Sequence, residues 1–166
     1  MSNTEALWEA RVAELWSAFD DYAPEAFVAR LDLLASELAP GSAIALFERG
    51  AAQDSTGHPD LAVPLYQAAL DIGLTGLRRR RAVIQMASSL RNLGNPLRAA
   101  ELLTVELETA NDDLDGAVRA FLALALVDLG REREAVAISL EALSRYLPRY
   151  NRSLARYARH LTEASR

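Results

Sequence analysis

One pattern constrains this chain more than any other. A glycine is followed five residues later by an alanine three times, at Gly57 and Ala62, Gly94 and Ala99, and Gly130 and Ala135. The glycines stand 37 and then 36 residues apart, and each has an apolar helical pattern on both sides. A period of this length with one helix–turn–helix per unit predicts an α-solenoid, whose units bury their apolar faces against their neighbours. The expected units are about 43–73, 80–110 and 116–146. Each glycine should end a first helix in a left-handed conformation. Each alanine should lie where the second helix presses on the first.

Composition agrees with an all-α fold. The 166 residues include 31 Ala and 28 Leu, both strong helix formers, and few residues that favour strands. The chain has no lysine and no cysteine, so all 18 basic residues are arginine. Those absences exclude Schiff-base chemistry, a lysine-bearing phosphate loop, thiol catalysis, disulfides and cysteine-based zinc sites. Two histidines, His58 and His160, are too few for most histidine metal sites, and both are expected to be solvated. No Ser-His-Asp or paired-carboxylate constellation stands out. The expectation is therefore no enzyme, no cofactor and no metal.

The net charge of −5 is unevenly spread. Residues 1–75 carry −9, residues 76–130 carry 0, and residues 131–166 carry +4. An acidic chain is a poor bulk nucleic-acid binder. Without a long apolar stretch or a signal-peptide pattern, a cytoplasmic protein with no membrane contact is expected.

Flanking segments extend the array into one continuous domain. Residues 1–41 read as a helical pair: Thr4–Phe19 with the stripe Trp8, Val12, Leu15, Trp16 and Phe19, then a helix from Pro24 with Phe27, Leu31, Leu34 and Leu38. Ser42 is the expected N-cap of the next helix, Asp60 of the one after Gly57, and Asn95 before Pro96 of the one after Gly94. Pro64 stands at the edge of the tolerated first turn and could shift that helix start. Residues 149–166 read as a capping helix with apolar stripe Tyr150, Leu154, Tyr157 and Leu161 and polar faces carrying Arg149, Arg152, Arg156 and Arg159.

These residues resemble the tetratricopeptide repeat family. The first unit matches its pattern with Gly50, Gly57, Ala62, Tyr66 and Ala69. The second matches with Ala87, Gly94, Ala99 and Leu103, but places Glu106 where a small residue belongs. The third matches with Ala123, Gly130, Ala135 and Ala142, with Ser139 at the aromatic position. The early tryptophan is replaced by Leu46, Val83 and Arg119, so the repeats are degenerate. The stretch from Arg78 to Gly94 is also similar to a short bacterial subgroup. The resemblance implies a right-handed superhelix of antiparallel helix pairs that binds another protein or peptide in a concave groove.

In that family the first helix of each unit lines the groove. Here that implies Phe47, Glu48, Ala51, Asp54 and Ser55 from unit one, Arg81, Ile84, Gln85, Ser88, Arg91 and Asn92 from unit two, and Ala117, Ala120, Phe121, Leu124, Val127 and Asp128 from unit three. Arg91 could fork onto a carboxylate while Asn92 holds a peptide backbone. Equally, Arg81 and Arg91 could pair with Glu48 and Asp54 inside the chain. The family's basic-and-asparagine clamp for an acidic peptide terminus is missing, because Phe47, Ala51, Ala117 and Phe121 occupy its positions.

Three further features stay open between a structural and a functional reading. Arg78, Arg79, Arg80 and Arg81 open a helix, where positive charge opposes the dipole, so acidic groups should sit nearby. These groups belong either to the chain or to an acidic partner; RNA is disfavoured because aromatic residues for stacking are not interleaved. The run from Phe121 to Val127 is apolar all round, which favours complete burial over a groove floor. Trp8 and Trp16 fit either the core or a homodimer interface. Head-to-tail pairing of the acidic start with the basic end is the other route to self-association.

Overall fold

The computed structural model describes residues 3–109 and 112–163, and among these residues the fold is all-α. Its helices are α1 Asn3–Ser17, α2 Pro24–Ala35, α3 Ala43–Ser55, α4 Pro59–Asp71, α5 Gly76–Asn92, α6 Pro96–Thr109, α7 Asp115–Asp128, α8 Glu132–Ser144 and α9 Asn151–Glu163. A 3-10 turn, Phe19–Asp21, joins α1 to α2. No helix among the described residues is long and apolar enough to cross a membrane. The chain divides into two compact units, one up to Ala82 and one from Val83, with the division inside α5.

The repeated glycine has a specific mechanical role. Gly57, Gly94 and Gly130 have φ of 87°, 79° and 72°, a region where a side chain costs about 1–2 kcal/mol. Each glycine N–H bonds three residues back, and the next residue's N–H bonds five back: Gly57 to Asp54 and His58 to Gln53, at 3.1 and 2.9 Å. Gly94 with Asn95 and Gly130 with Arg131 repeat the same two bonds. This is a Schellman closure. The residue after the glycine then opens the next helix, because its carbonyl accepts from Ala62, Ala99 or Ala135. One residue thus ends one helix and begins the next, which fixes the glycine-to-alanine spacing. All three alanines are buried against the preceding helix.

The start signals hold in two of three cases. Ser42 Oγ accepts from the Ala45 N–H, and Asn95 Oδ1 accepts from the Arg98 N–H. Asp60, however, is not the cap of α4: that helix starts at Pro59, with His58 in the cap position and Asp60 in the first turn. Pro64 lies within α4 and does not move its start. Both Pro64 and Asp60 are exposed, so the carbonyl that loses its partner can turn to water.

In the first unit, Trp8, Val12 and Leu15 of α1 pack on Phe27, Leu31 and Leu34 of α2 and on Ala52 of α3. Trp8 Nε1 donates to the Leu34 carbonyl at 2.8 Å. Trp16 and Phe19 each lie 4.8 Å from the Phe27 ring centroid. The homodimer expectation for the two tryptophans is thereby corrected. Trp8 is buried, and the half-buried Trp16 ring is occupied by these internal contacts.

The second unit centres on Ile84 and Ala87 of α5, Ala99 and Leu103 of α6, and Val118, Leu122 and Leu126 of α7. Two expectations fail here. The α9 face that packs down carries Leu154, Ala158 and Leu161, while Tyr150 and Tyr157 stay exposed. Two stripes at helical spacing compete on α9, and the smaller side chains allow the closer approach. The apolar run on α7 is not buried on every side either: Leu124 and Val127 are 44% and 49% exposed.

Candidate functional site

In the first unit, the residues expected to line a groove build the interior instead. Phe47 has no exposed surface; it tilts against Tyr66 at 6.1 Å, and the Arg81 guanidinium lies 5.2 Å over its ring. Such a stack adds about 0.5–2 kcal/mol. Glu48 is 2% exposed. Its Oε1 accepts from Arg78 Nε at 2.8 Å, and its Oε2 accepts from Trp16 Nε1 at 3.0 Å. Arg78 also forks onto Glu9 at 2.8 and 2.6 Å. Its guanidinium becomes more basic, chiefly through the bonds to Glu9, against the effect of burial. Removing Arg78 would strand the Glu48 charge, a loss of about 3–5 kcal/mol. Asp54 is half-buried and faces the Tyr66 hydroxyl at 3.5 Å. Burial pushes the Tyr66 phenol well above its ordinary range, and the Asp54 charge adds to this.

This arrangement corrects two expectations. Phe47 and Glu48 have no surface to offer a partner. The four consecutive arginines do not form one patch either, because successive helix residues point about 100° apart. Arg78 holds two carboxylates, Arg81 covers an aromatic ring, Arg80 is buried, and neither Arg79 nor Arg80 lacks a partner. The acidic groups that offset the helix dipole are Glu9 and Glu48 of the same chain. Neither carboxylate carries a local sequence signal, since they lie 69 and 30 residues from Arg78.

The second unit differs. Arg91 pairs with Asp128: its Nη2 donates to Oδ1 at 3.3 Å, and its Nε lies 2.5 Å from Oδ2 without hydrogen-bond geometry. The partner is Asp128, where the sequence reading offered Asp54 or Glu48. Gln85 and Ser88 are half-buried, and Asn92 is exposed. On α7, Ala120, Leu124 and Val127 are exposed at i, i+4 and i+7, with Phe121 half-buried beside them and Asp128 at the end of the row. The helix therefore presents an apolar row bordered by one ion pair. The row can hold an apolar side-chain ladder, and it contains no nucleophile or general base. Among the described residues no group of three or more His, Cys, Asp or Glu could hold a metal.

Counting back from the turn glycines puts α3 and α7 in one register. Phe47 matches Ala120, Glu48 matches Phe121, Ala51 matches Leu124 and Asp54 matches Val127. The α3 positions are buried or half-buried, whereas Ala120, Leu124 and Val127 are exposed.

A family profile described as Tetratrico peptide repeat matches residues 43–161, from the start of α3 into α9. No curated protein and no solved structure matches the chain. Repeats of this kind generally mediate protein–protein interaction and typically act as scaffolds without catalysis of their own. The matched span covers all three glycine-closed helix pairs, and the chain belongs to the tetratricopeptide repeat family.

Proposed function

We propose that this chain is a protein-interaction module that docks an apolar helix or peptide segment of a partner along α7. The observation that carries this reading is the exposed row Ala120, Leu124 and Val127 on a helix whose opposite side is core. A contiguous apolar surface in a monomer marks an interaction site more often than scattered apolar residues do. An amphipathic helix reads such a row through its own i, i+3, i+4 and i+7 residues. The first unit supports the reading from inside the chain. There the register-equivalent Glu48 takes Trp16 of α1 and Arg78 of α5 as its partners, so one face of this register already accepts helices. Arg91 and Asn92 at the margin supply polar groups that fix a segment's direction.

The test is selection of displayed peptides on the immobilised chain, followed by affinity measurement. Peptides with apolar residues at helical spacing should be enriched. Their binding should fall at least about tenfold for Leu124→Glu with Val127→Glu, and less for Arg91→Ala with Asn92→Ala. Peptides that bind the first variant as well as the native chain would move the site off α7. Enrichment of no peptide would overturn the proposal.

A further inference from the structure

In most of this molecule arginines have carboxylates. Arg11 pairs with Glu37, Arg49 with Asp32, Arg78 with Glu9 and Glu48, Arg91 with Asp128, Arg119 with Glu141, Arg131 with Glu134 and Arg145 with Asp115. The segment from Arg149 through the last helix breaks the rule. Arg149, Arg152, Arg156 and Arg159 are exposed and make no ion pair among the described residues; Arg156 meets only the Tyr157 ring, at 5.3 Å. Residues 143–162 contain no carboxylate at all. Arg152, Arg156 and Arg159 fall at i, i+4 and i+7, a stripe about 10 Å long opposite the face that Leu154, Ala158 and Leu161 bury. Tyr146, Tyr150 and Tyr157, within and just before α9, are 71%, 77% and 58% exposed. Tyrosine and arginine are the side chains that protein interfaces use as anchors. A face of this composition is suited to a protein surface of opposite charge.

The chain carries free carboxylates of its own in the segment from the end of α1 to the start of α2. Glu14 at the end of α1, Asp20 and Asp21 in the 3-10 turn and Glu25 at the start of α2 are all exposed, and their side chains have no partner among the described residues. These four unpaired carboxylates lie in the first unit, while the four unpaired arginines lie in the second. We infer that the α9 face docks on the Glu14–Glu25 surface of a second copy of this chain. If both copies dock reciprocally, a two-fold dimer closes; if the contact runs one way, it propagates. The net charge of −5 works against a polyanion such as single-stranded nucleic acid at long range, whereas a second copy brings its charge already segregated. The inference is independent of the α7 row.

The test is sedimentation velocity on the full chain at about 0.02 M and about 0.5 M salt, where screening shortens from tens of ångströms to a few. The native chain should exceed the monomer mass at low salt and return to monomer at high salt. Two variants reverse one side each: Arg152→Glu with Arg156→Glu, and Asp20→Arg with Asp21→Arg. All four positions are exposed, so helicity by circular dichroism should be unchanged. Each variant alone should be at least about tenfold weaker in association. Mixed together they should associate again, because each then meets the opposite charge. A native chain that is monomeric at low salt overturns the inference. So does undiminished association of either variant, or a mixture that stays monomeric. A Leu124→Glu chain should associate like the native one, and loss of association there would assign the contact to α7. Tight retention of an oligonucleotide on α9 without any mass increase would assign the face to nucleic acid.

Discussion

Helices α3 and α7 occupy the same place in their repeats and do opposite things with it. On α3 the position ten residues before the turn glycine is Phe47, fully buried, and on α7 it is Ala120, exposed. Six residues before the glycine, Ala51 is buried while Leu124 is 44% exposed. The difference comes from what the chain places on each helix. Side chains from α1 and from the start of α5 reach α3, with Trp16 and Arg78 both bonded to Glu48 and Arg81 lying over Phe47. Register assigns a residue to a repeat position, but the neighbouring element decides whether that position is core or surface. The exposure that register alone implies is therefore met on α7 and not on α3.

The largest expected effect separates the two helices directly. Phe47→Ala should lower stability by about 3–5 kcal/mol, since it opens a cavity beneath Arg81 and beside Tyr66. Leu124→Ala should change stability by no more than about 0.5 kcal/mol, as for a surface position. Urea denaturation of the two variants measures both. Similar losses would mean that α7 is covered as α3 is, and the comparison would collapse.

Much of this fold was legible because its determinants are local. The glycine closures, the cap at Ser42 and the Asn95–Pro96 start each need only residues within one turn. The candidate site was less legible. The ion-pair centre at Arg78 joins residues far apart in sequence, and its consequence, the burial of Glu48, has no sequence signal. Tyr157 was misplaced because Leu154 and Leu161 fit two stripes, one with Tyr157 and one with Ala158, and Tyr150 because α9 starts after it, at Asn151. The absence of carboxylates from 143–162 was the available clue, since arginines there can pair only with carboxylates from elsewhere in the chain, as Arg145 does with Asp115.

A middle-sized effect tests the packing beneath the register. Gly50 in α3 matches Ala87 in α5 and Ala123 in α7, and Tyr66 in α4 matches Leu103 and Ser139. A methyl group at Gly50 would stand 3.0 Å from the buried Tyr66 ring, so the glycine accommodates the ring. Gly50→Ala should therefore destabilise by about 1–3 kcal/mol through overpacking, less about 1 kcal/mol from better helix propensity. Tyr66→Leu alone should also destabilise, through lost burial and the lost Phe47 contact. Together the two changes recreate the Ala87 and Leu103 pair of the second repeat, and the double variant should be more stable than the sum of the single losses implies. A double-mutant cycle in urea measures the coupling. A coupling near zero would show that the ring is not what requires the glycine.

The smallest effect is one in which the two units should behave alike. Glu37 in the first unit is held below the usual carboxylate range mainly by its hydrogen bonds from Arg11, and Glu134 in the second mainly by those from Arg131. A carboxylate whose pKa is lower in the folded chain releases its proton more readily there. Its contribution is present above the unfolded pKa and is lost as pH falls through the folded one. Stability should therefore decline in acid, from about pH 5 downward, and added salt should shrink this part of the decline because both pairs are exposed. Arg11→Ala and Arg131→Ala should each flatten the acid limb slightly and by similar amounts, as read from urea midpoints between about pH 7 and about pH 3. An acid limb that both variants leave unchanged would mean that neither pair contributes to the decline, and the expected likeness of the two units would fail.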